Sequence, residues 1–278
     1  MRKYSLAYLT IPGTDPVSQI RIAAETGYDS VSLRTIPMHL PGEPEFLLDK
    51  DAALFNAVKQ ALKEYGVPLM DIELARIRPD LNINEYAPAF EKAAELGAED
   101  VLGSIWTRDR DFYVDATAKV AEMAKGFGLN YHIEFLPWAG VRSLQEAITL
   151  VDELKMDNLF IMVDTLHAGR SGVTAAELAR TDKKYFRFMH LCDGPTGPDG
   201  DVVLDDIKDK LMLFTAREAR LYVGQGAMDI AGMVAAIPGV PLSIELPNTS
   251  EMRARGAQGH AKACLETAKA YFAAHGVE

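Results

Sequence analysis

The sequence has too few cysteines for a disulfide framework. Only Cys192 and Cys264 occur in 278 residues, and they lie far apart without a Cys-x-x-Cys motif or a Cys/His cluster. This pattern argues against a disulfide-stabilised scaffold and is typical of a reducing compartment. We therefore expect a cytoplasmic protein whose stability comes from a packed core.

The sequence also lacks long apolar runs and blocks of basic residues. No apolar run approaches the roughly 18 to 20 residues of a membrane-spanning helix. The apolar stretch from Tyr4 reaches Pro12 and Gly13 too soon for a signal peptide, so we expect it to be a first strand. The chain has 29 basic and 40 acidic residues and a net charge of −11. Because this charge repels polyanions, we expect neither nucleic acid nor a membrane as a partner.

What the sequence does contain is a repeated alternation of short and long segments. Eight short apolar runs rich in β-branched residues alternate with longer amphipathic segments, as in βα units that feed a parallel sheet. The runs are residues 5–10, 30–34, 68–73, 100–105, 130–135, 159–164, 186–191 and 241–246. The units repeat without a Pro/Ser-rich linker, which predicts one (β/α)8 TIM barrel over residues 1–278 as a single α/β domain. An open doubly wound sheet is the alternative, but no Gly-x-Gly-x-x-Gly motif follows any run.

One connection departs from this regular pattern. The stretch between the seventh and eighth runs covers residues 192–240 and contains a Gly/Pro-rich segment at residues 194–200. This segment is too irregular for a helix, and a barrel carries its active-site loops at such a position. We therefore expect it to lie at the mouth of the barrel.

The last four predicted strands each end in a side chain of a type that commonly binds metals in proteins. These side chains are Glu134, Asp164, His190 and Glu245. An ionised carboxylate at the end of an apolar strand is costly to bury unless a cation or a hydrogen-bond donor meets it. Since parallel strands end at one rim of a barrel, the four side chains should converge. Three carboxylates and one imidazole suit one Mn²⁺ or Mg²⁺ ion, with Co²⁺ and Zn²⁺ as alternatives.

Each of these residues also has a purely structural interpretation. A charged residue at a strand end often caps the next helix or pairs with an arginine. Independent capping does not explain metal-type ligands on four consecutive strands. We therefore predict a metal site at the C-terminal rim of the barrel.

These motifs resemble those of a known family. The sequence is similar to the sugar phosphate isomerase/epimerase family of xylose-isomerase-like barrels, which includes D-tagatose 3-epimerases, hydroxypyruvate isomerases, inosose dehydratases and bacterial 3-dehydroshikimate dehydratases. The resemblance covers essentially the whole chain. It rests on Glu134 in His-Ile-Glu-Phe, Asp164 and His167 in Val-Asp-Thr-Leu-His, His190 in Phe-Met-His-Leu-Cys-Asp, Gly224 and Gly226 in Tyr-Val-Gly-Gln-Gly-Ala-Met-Asp, and Glu245 in Ser-Ile-Glu-Leu.

The resemblance implies roles for particular residues. It implies that the four strand-end residues bind the metal, that Glu134 and Glu245 remove and return the substrate proton, and that His167 contacts the substrate. The sequence departs from epimerases of free ketohexoses, which usually carry an arginine a few residues after the seventh-strand histidine. Here that segment, residues 193–196, reads Asp-Gly-Pro-Thr. This segment therefore does not favour a free ketohexose as substrate.

Several arginines follow predicted strands and should stand near the rim. They are Arg34, Arg76, Arg78, Arg108, Arg110 and Arg170. Such a cluster could neutralise an anionic substrate by bidentate hydrogen bonds, although salt bridges to loop acids explain each arginine equally well. We predict that Arg34 and Arg76 bind the substrate, with Glu73 as a polar neighbour. Trp106 and Trp138 follow the fourth and fifth strands and could wall the pocket.

Three functions fit these features. The first is a metal-dependent isomerase or epimerase of a small polyhydroxy carbonyl compound such as a sugar, sugar phosphate or sugar acid, acting through an enediolate. The second is a metal-dependent dehydratase of the 3-dehydroshikimate or inosose type, which an arginine-rich mouth modestly favours. The third is a barrel that binds metal or ligand without catalysis, against which the intact ligand set argues. In every case we expect a small-molecule partner, and a homo-oligomer is compatible with the sequence.

Overall fold

The structure is a computed structural model that describes residues 2–40, 42–195 and 206–277, with the backbone alone for residues 206–209. Eight parallel strands pair in chain order and close into a barrel, in which the first strand also pairs with the eighth. The strands are β1 Tyr4–Leu6, β2 Ser30–Arg34, β3 Leu69–Ile77, β4 Asp100–Ile105, β5 Asn130–Glu134, β6 Leu159–Asp164, β7 Met189–Leu191 and β8 Leu242–Ile244. The predicted TIM barrel is therefore confirmed.

Helices follow every strand. In the described residues they are α1 Pro16–Thr26, α2 Ala52–Tyr65, α3 Ala87–Glu95, α4 Arg110–Gly126, α5 Leu144–Leu154, α6 Thr165–Arg170, α7 Ala175–Arg180, α8 Asp206–Glu218, α9 Ile230–Ala236 and α10 Thr249–His275. β6 and β7 are each followed by two helices, and α10 is interrupted at Gly256, which has a φ of 66°. None of the helices in the described part of the chain is long and apolar enough to cross a membrane.

Local sequence sets where the helices begin and end, as α2 illustrates. The side chain of Asp51 accepts a hydrogen bond from the backbone N–H of Leu54 at 2.9 Å, which satisfies a donor that the first helical turn leaves free. Gly66 ends the helix with a φ of 65°, a conformation that costs glycine little. Between these ends, Phe55 and Val58 are buried in the main hydrophobic core. The apolar face of α2 therefore packs against the outer surface of the barrel.

The inside of the barrel has an apolar part and a polar part. The apolar part contains Leu74, Leu102, Met162 and Phe188, which form a buried cluster with Met38. The polar part contains three fully buried serines, Ser5, Ser32 and Ser243, and the equally buried Asp71. The hydroxyl of Ser32 donates a hydrogen bond to Asp71 and lies 3.3 Å from the hydroxyl of Ser5. A carboxylate is thus enclosed in the barrel with hydroxyl neighbours.

Some predicted strand boundaries were wrong. The first predicted strand, residues 5–10, stops at Leu6, because Tyr8–Thr10 forms one turn of 3-10 helix. The hydroxyl of Thr10 donates to the carbonyl of Ile244 at 2.7 Å, so this turn is fastened to the end of β8. β3 extends to Ile77 instead of residue 73, and β7 begins at Met189 instead of residue 186. Of the Gly/Pro-rich segment 194–200, residues 196–200 lie outside the described residues, as do residues 201–205.

Candidate metal centre

The four strand-end side chains meet at the C-terminal rim of the barrel. Each of Glu134, Asp164, His190 and Glu245 offers one ligand atom, and these atoms all lie within 4.8 Å of one another. All four residues are buried, since the most exposed of them, Glu134, has 6% of its surface accessible. The arrangement is a compact group of three carboxylates and one imidazole that could hold a metal ion.

Asp164 is both a helix cap and a member of this group. Its Oδ1 atom accepts hydrogen bonds from the backbone N–H groups of Leu166 at 2.8 Å and His167 at 3.1 Å. Its Oδ2 atom lies 4.0 Å from Nδ1 of His190. The capping bonds hold the carboxylate in one orientation while the second oxygen faces the cluster. The structural and functional interpretations of Asp164 are therefore compatible.

An arginine that the sequence analysis did not select also belongs to this centre. The side chain of Arg220 is buried, with 2% of its surface exposed. Its Nη2 atom lies 2.7 Å from Oε2 of Glu245. Nη1 lies 2.5 Å from Oδ2 of Asp164 and 3.2 Å from Sγ of Cys192. A charged pair of this kind survives burial only when its geometry is good. Arg220 thus neutralises part of the negative charge of the carboxylates.

Two short β-bridges place Arg220 in the site. The preceding residue, Ala219, bridges Asn248, and the following residue, Leu221, bridges Asp193. The backbone N–H of Arg220 donates to the carbonyl of Pro247 at 3.0 Å. The segment after α8 is therefore held between the segment that follows β7 and the segment that follows β8. Position in the sequence carries no sign of this, because Arg220 does not end any predicted strand.

The glycine motif at residues 222–229 helps to hold the same segment. The Oδ2 atom of Asp193 accepts hydrogen bonds from the backbone N–H groups of Gly224 at 3.0 Å and Gly226 at 2.9 Å. A Cβ atom at Gly226 would collide with Asp193 and with the carbonyl of Gly194. Gly226 therefore permits a close backbone approach.

The two glutamates of the cluster have pKa values that are displaced in opposite directions. Burial, together with the charges of Glu245 and Asp164, raises the pKa of Glu134 well above its usual range. Burial would also raise the pKa of Glu245, but the neighbouring Arg220 and His190 outweigh it and lower that pKa. The two carboxyl groups thus lie in electrostatically different surroundings, and Glu245 is the one beside the positive charge of Arg220.

The donor set fits a metal ion. Oε1 of Glu134 is buried and has no hydrogen-bond partner among the described residues. The ring of His190 is also buried, and its Nδ1 atom lies 3.3 Å from Oε2 of Glu245. Burial would lower the pKa of His190, but the surrounding carboxylates raise it to about 10, as expected for a group that faces uncompensated negative charge. A divalent metal would balance this charge and bind one imidazole nitrogen together with the carboxylate oxygens.

A cavity of about 370 Å³ opens beside the cluster. Its lining includes Glu134, His167, Arg220 and Glu245 from the centre, and Arg34, Glu73, Trp106, Trp138 and Arg217 around them. The His167 imidazole lies 3.9 Å from Glu134 and edge-on to the Trp138 ring, with ring centroids 5.0 Å apart. Burial lowers the pKa of His167 to about 4, which keeps the imidazole neutral near pH 7. This volume is in the range of small-molecule sites.

The predicted substrate-binding residues occupy different positions around this cavity. Arg34 and Glu73 line it, and their charged atoms lie 3.6 Å apart. Arg34 also pairs with Glu43, with Nη1 and Oε1 2.6 Å apart. Arg76 does not belong to the lining, and its Nη2 atom donates to the carbonyl of Met38 at 2.9 Å. The structure thus brings Arg34, Glu73 and His167 into one cavity and leaves Arg76 behind its wall.

Other rim arginines have structural partners. Arg78 pairs with Asp80, and Arg110 pairs with Glu153, both at the surface. Arg170 is buried and donates to the carbonyl of Met212 at 3.1 Å. These side chains follow the salt-bridge or packing interpretation of the rim arginines.

Most of the chain matches one protein family. A model of the xylose isomerase-like TIM barrel family matches residues 20–268 of the chain. The chain belongs to this family. The resemblance seen in the sequence motifs is thereby confirmed over most of the length.

Curated members of the family differ in the reactions for which they are named. An inosose isomerase from Bacillus subtilis (strain 168) is 22% identical over 248 residues, which cover 84% of this chain and 83% of that protein. A 3-dehydroshikimate dehydratase from Pseudomonas putida is 26% identical over 268 residues, which cover 88% of this chain and 38% of that protein. These relatives are named as an isomerase and a dehydratase.

Several solved structures share the fold of this chain. A crystal structure of the IOLI protein with a zinc atom has a TM-score of 0.76 and 20% identity, with 96% of both chains covered. A D-allulose 3-epimerase from Methylomonas has a TM-score of 0.69 and 17% identity, with 96% of both chains covered. At these identities the likeness establishes the fold of this chain and nothing further.

Proposed function

We propose that this protein is a divalent-metal-dependent isomerase or epimerase of a small polyhydroxy carbonyl compound. Glu134, Asp164, His190 and Glu245 would hold one metal ion, Mn²⁺ or Mg²⁺ by the hardness of the donor set, with Co²⁺ and Zn²⁺ as alternatives. When bound, the metal would stabilise the negative charge that develops on substrate oxygens as a proton leaves the neighbouring carbon.

The observation that carries this proposal is the position of Glu134 and Glu245. Both carboxylates line the cavity, and both belong to the cluster of four side chains that could hold a metal ion. Enzymes that remove and return a proton need two proton-transferring groups within reach of the same substrate carbon. We assign proton removal to Glu245 and proton return to Glu134.

The other residues of the cavity would orient the substrate. The neutral imidazole of His167 can accept or donate a hydrogen bond and would orient a substrate hydroxyl close to Glu134. Arg220 would keep Glu245 ionised, because its guanidinium lies 2.7 Å from that carboxylate. The walls formed by Trp106 and Trp138 would limit the access of water to the reacting carbon.

A deuterium experiment tests the proposal. The metal-loaded protein is incubated in deuterated water with ketoses, hydroxypyruvate, inososes and 3-dehydroshikimate, and the products are followed by NMR. We expect one compound to gain deuterium at the carbon next to its carbonyl and to be converted to an isomer or epimer without loss of water. If every compound keeps its hydrogen while the protein retains its metal, the proposal is wrong.

A dehydratase is the second candidate, and one arginine of the cavity favours it. Arg217 lines the cavity, and a positively charged side chain suits a substrate with a carboxylate such as 3-dehydroshikimate. Elimination would begin with the same proton removal by Glu245 and would then expel a β-hydroxyl group. A conjugated chromophore in the 3-dehydroshikimate reaction, with water released, would select this function.

A further inference from the structure

The arginines around the cavity differ in how well their charges are balanced. Arg34 is buried, and it contacts two carboxylates, Glu43 at 2.6 Å and Glu73 at 3.6 Å. Its guanidinium also stacks over the ring of Tyr8, with 4.6 Å from the central carbon to the ring centroid. Arg34 thus has local partners for its charge and holds two wall segments together.

Arg76 and Arg217 have no such balance. Neither forms an ion pair with a carboxylate among the described side chains, and both lie beside Trp106, each with 5.9 Å from the guanidinium carbon to the ring centroid. The indole N–H of Trp106 donates to the hydroxyl of Ser104 at 2.8 Å, which fixes the ring between strand and cavity. Two guanidinium groups therefore lie beside one aromatic ring.

The surroundings make this positive charge unfavourable without a counter-charge. Burial lowers the pKa of Arg76, and the charge of Arg217 lowers it further. Burial likewise lowers the pKa of Arg217, and the charge of Arg34 lowers it further. The charges of Glu43 and Glu218 act in the opposite direction on Arg217. Guanidinium groups remain protonated in proteins, so a bound anion would reduce the repulsion between these positive charges.

We propose that Arg217, together with Trp106, forms a subsite for an anionic group of the substrate, either a carboxylate or a phosphate ester. Arg76 lies outside the lining and adds positive charge behind Trp106. The inference rests on the proposed function, because Arg217 and Trp106 line the same cavity as Glu134 and Glu245. Bidentate hydrogen bonds from guanidinium groups match the oxygens of either anion. The subsite therefore selects sugar acids or sugar phosphates over neutral ketoses.

Glu43 competes with that anion. Its Oε1 atom binds Arg34, whereas its Oε2 atom is buried without a hydrogen-bond partner, and its charge acts on Arg217. A substrate anion that approaches Arg217 is thus repelled by a carboxylate that the wall already holds. Removal of this charge should strengthen anion binding, whereas removal of Arg217 should weaken it.

Binding of small anions to the metal-loaded full chain tests the subsite. The probes are D-glycerate and inorganic phosphate, with glycerol as the neutral reference, and affinities are measured by calorimetry. We expect Arg217→Met to weaken binding of at least one anion tenfold or more, which corresponds to about 1.4 kcal/mol. Arg76→Met should weaken it less, because Arg76 lies outside the cavity lining. Glu43→Gln should strengthen binding of the same anion. The probe that depends more strongly on Arg217 identifies the substrate group as carboxylate or phosphate.

Matched variants keep the result interpretable. Arg180→Met removes the same charge from the exposed end of α7 and should leave both affinities unchanged. Arg217→Lys keeps the charge without the bidentate geometry and should give an intermediate affinity. This variant also tests the subsite if Arg217→Met does not fold. Wild-type affinity for both anions in Arg217→Met would overturn the subsite.

The subsite and the proposed reaction can fail separately. Anion binding that depends on Arg217, without deuterium exchange in any compound, would support the subsite and contradict the isomerase or epimerase. Deuterium exchange in neutral ketoses, together with anion binding that ignores Arg217, would support the reaction and contradict the subsite.

Discussion

Nη2 of Arg220 lies 2.7 Å from Oε2 of Glu245, the residue to which we assign proton removal. The same guanidinium contacts Asp164, a second member of the cluster. A side chain that enters from the segment after α8 thus connects two of the strand-end carboxylates. Its charge lowers the pKa of Glu245 against the effect of burial.

Replacing Arg220 with Met should increase the stabilisation that the metal provides. Removing one partner of a buried ion pair typically costs about 3 to 5 kcal/mol, because an unpaired charge is left behind. In Arg220→Met this cost should fall mainly on the metal-free protein, since a bound cation would neutralise the same carboxylates. We therefore expect the rise in Tm on addition of Mn²⁺ to be larger in Arg220→Met than in wild type.

Arg180→Met is the control for this experiment, because it removes an exposed charge from α7. Its metal-induced rise in Tm should equal that of wild type. If the metal-induced rise in Tm of Arg220→Met is equal to or smaller than that of wild type, the guanidinium and the metal do not neutralise the same carboxylates.

Replacing His190 with Ala should sharply lower the metal content while the barrel stays folded. His190 contributes one of the four ligand groups, and the hydrophobic core that surrounds the barrel does not depend on it. We expect one metal ion per wild-type chain by elemental analysis and far less in the variant, with an unchanged circular dichroism spectrum. His275→Ala, at the exposed end of α10, should retain the metal. Full occupancy in His190→Ala would contradict the ligand assignment.

Replacing Glu245 with Gln should abolish most proton transfer even when metal is bound. An amide cannot act as the base, and loss of a general base typically lowers the rate by a factor of about 10² to 10⁴. The measurement is turnover of the compound that exchanges deuterium, with metal occupancy verified in each sample. Turnover within a few-fold of wild type would show that Glu245 only holds the metal, which would leave Glu134 or a water molecule as the base.

Replacing Asp71 with Asn should change how stability depends on pH. Burial raises the pKa of Asp71 to about 8, compared with about 3.9 in an unfolded chain. The folded protein therefore binds this proton more tightly, and the stability that it contributes is complete below pH 4 and lost as the pH rises towards 8. Asn resembles the protonated acid and does not ionise, so the variant should not undergo this loss.

The measurement is urea unfolding of the metal-free protein between pH 4 and 8. The free energy of unfolding of Asp71→Asn, relative to wild type, should increase across this range by more than about 1.4 kcal/mol, the equivalent of one pKa unit. Asp111→Asn, at an exposed position in the first turn of α4, should show no such trend. A pH-independent difference for Asp71→Asn would mean that Asp71 is ionised throughout.

The order of the elements and the convergence of the metal-type ligands were predictable from the chain alone. Short apolar runs rich in β-branched residues alternate with amphipathic segments, and in a closed parallel barrel the ends of neighbouring strands meet at one rim. The sequence alone therefore groups Glu134, Asp164, His190 and Glu245. Local hydrogen bonding changed the boundaries, as in β1, where the turn at Tyr8–Thr10 replaces the second half of the predicted strand.

The partners of charged side chains were decided by the tertiary structure. Arg34 was predicted to bind substrate, yet its guanidinium pairs with Glu43, nine residues away on a wall segment that has no regular pattern. Arg220 enters the site because its two neighbours form single-residue bridges to Asp193, 27 residues before it, and to Asn248, 28 residues after it. Such placements depend on how irregular segments pack across the rim, and sequence periodicity describes only regular elements. The sequence by itself thus determined the barrel and the convergence of its four strand-end side chains, whereas the tertiary structure decided that Arg220 pairs with two of them and that Arg34 pairs with wall carboxylates.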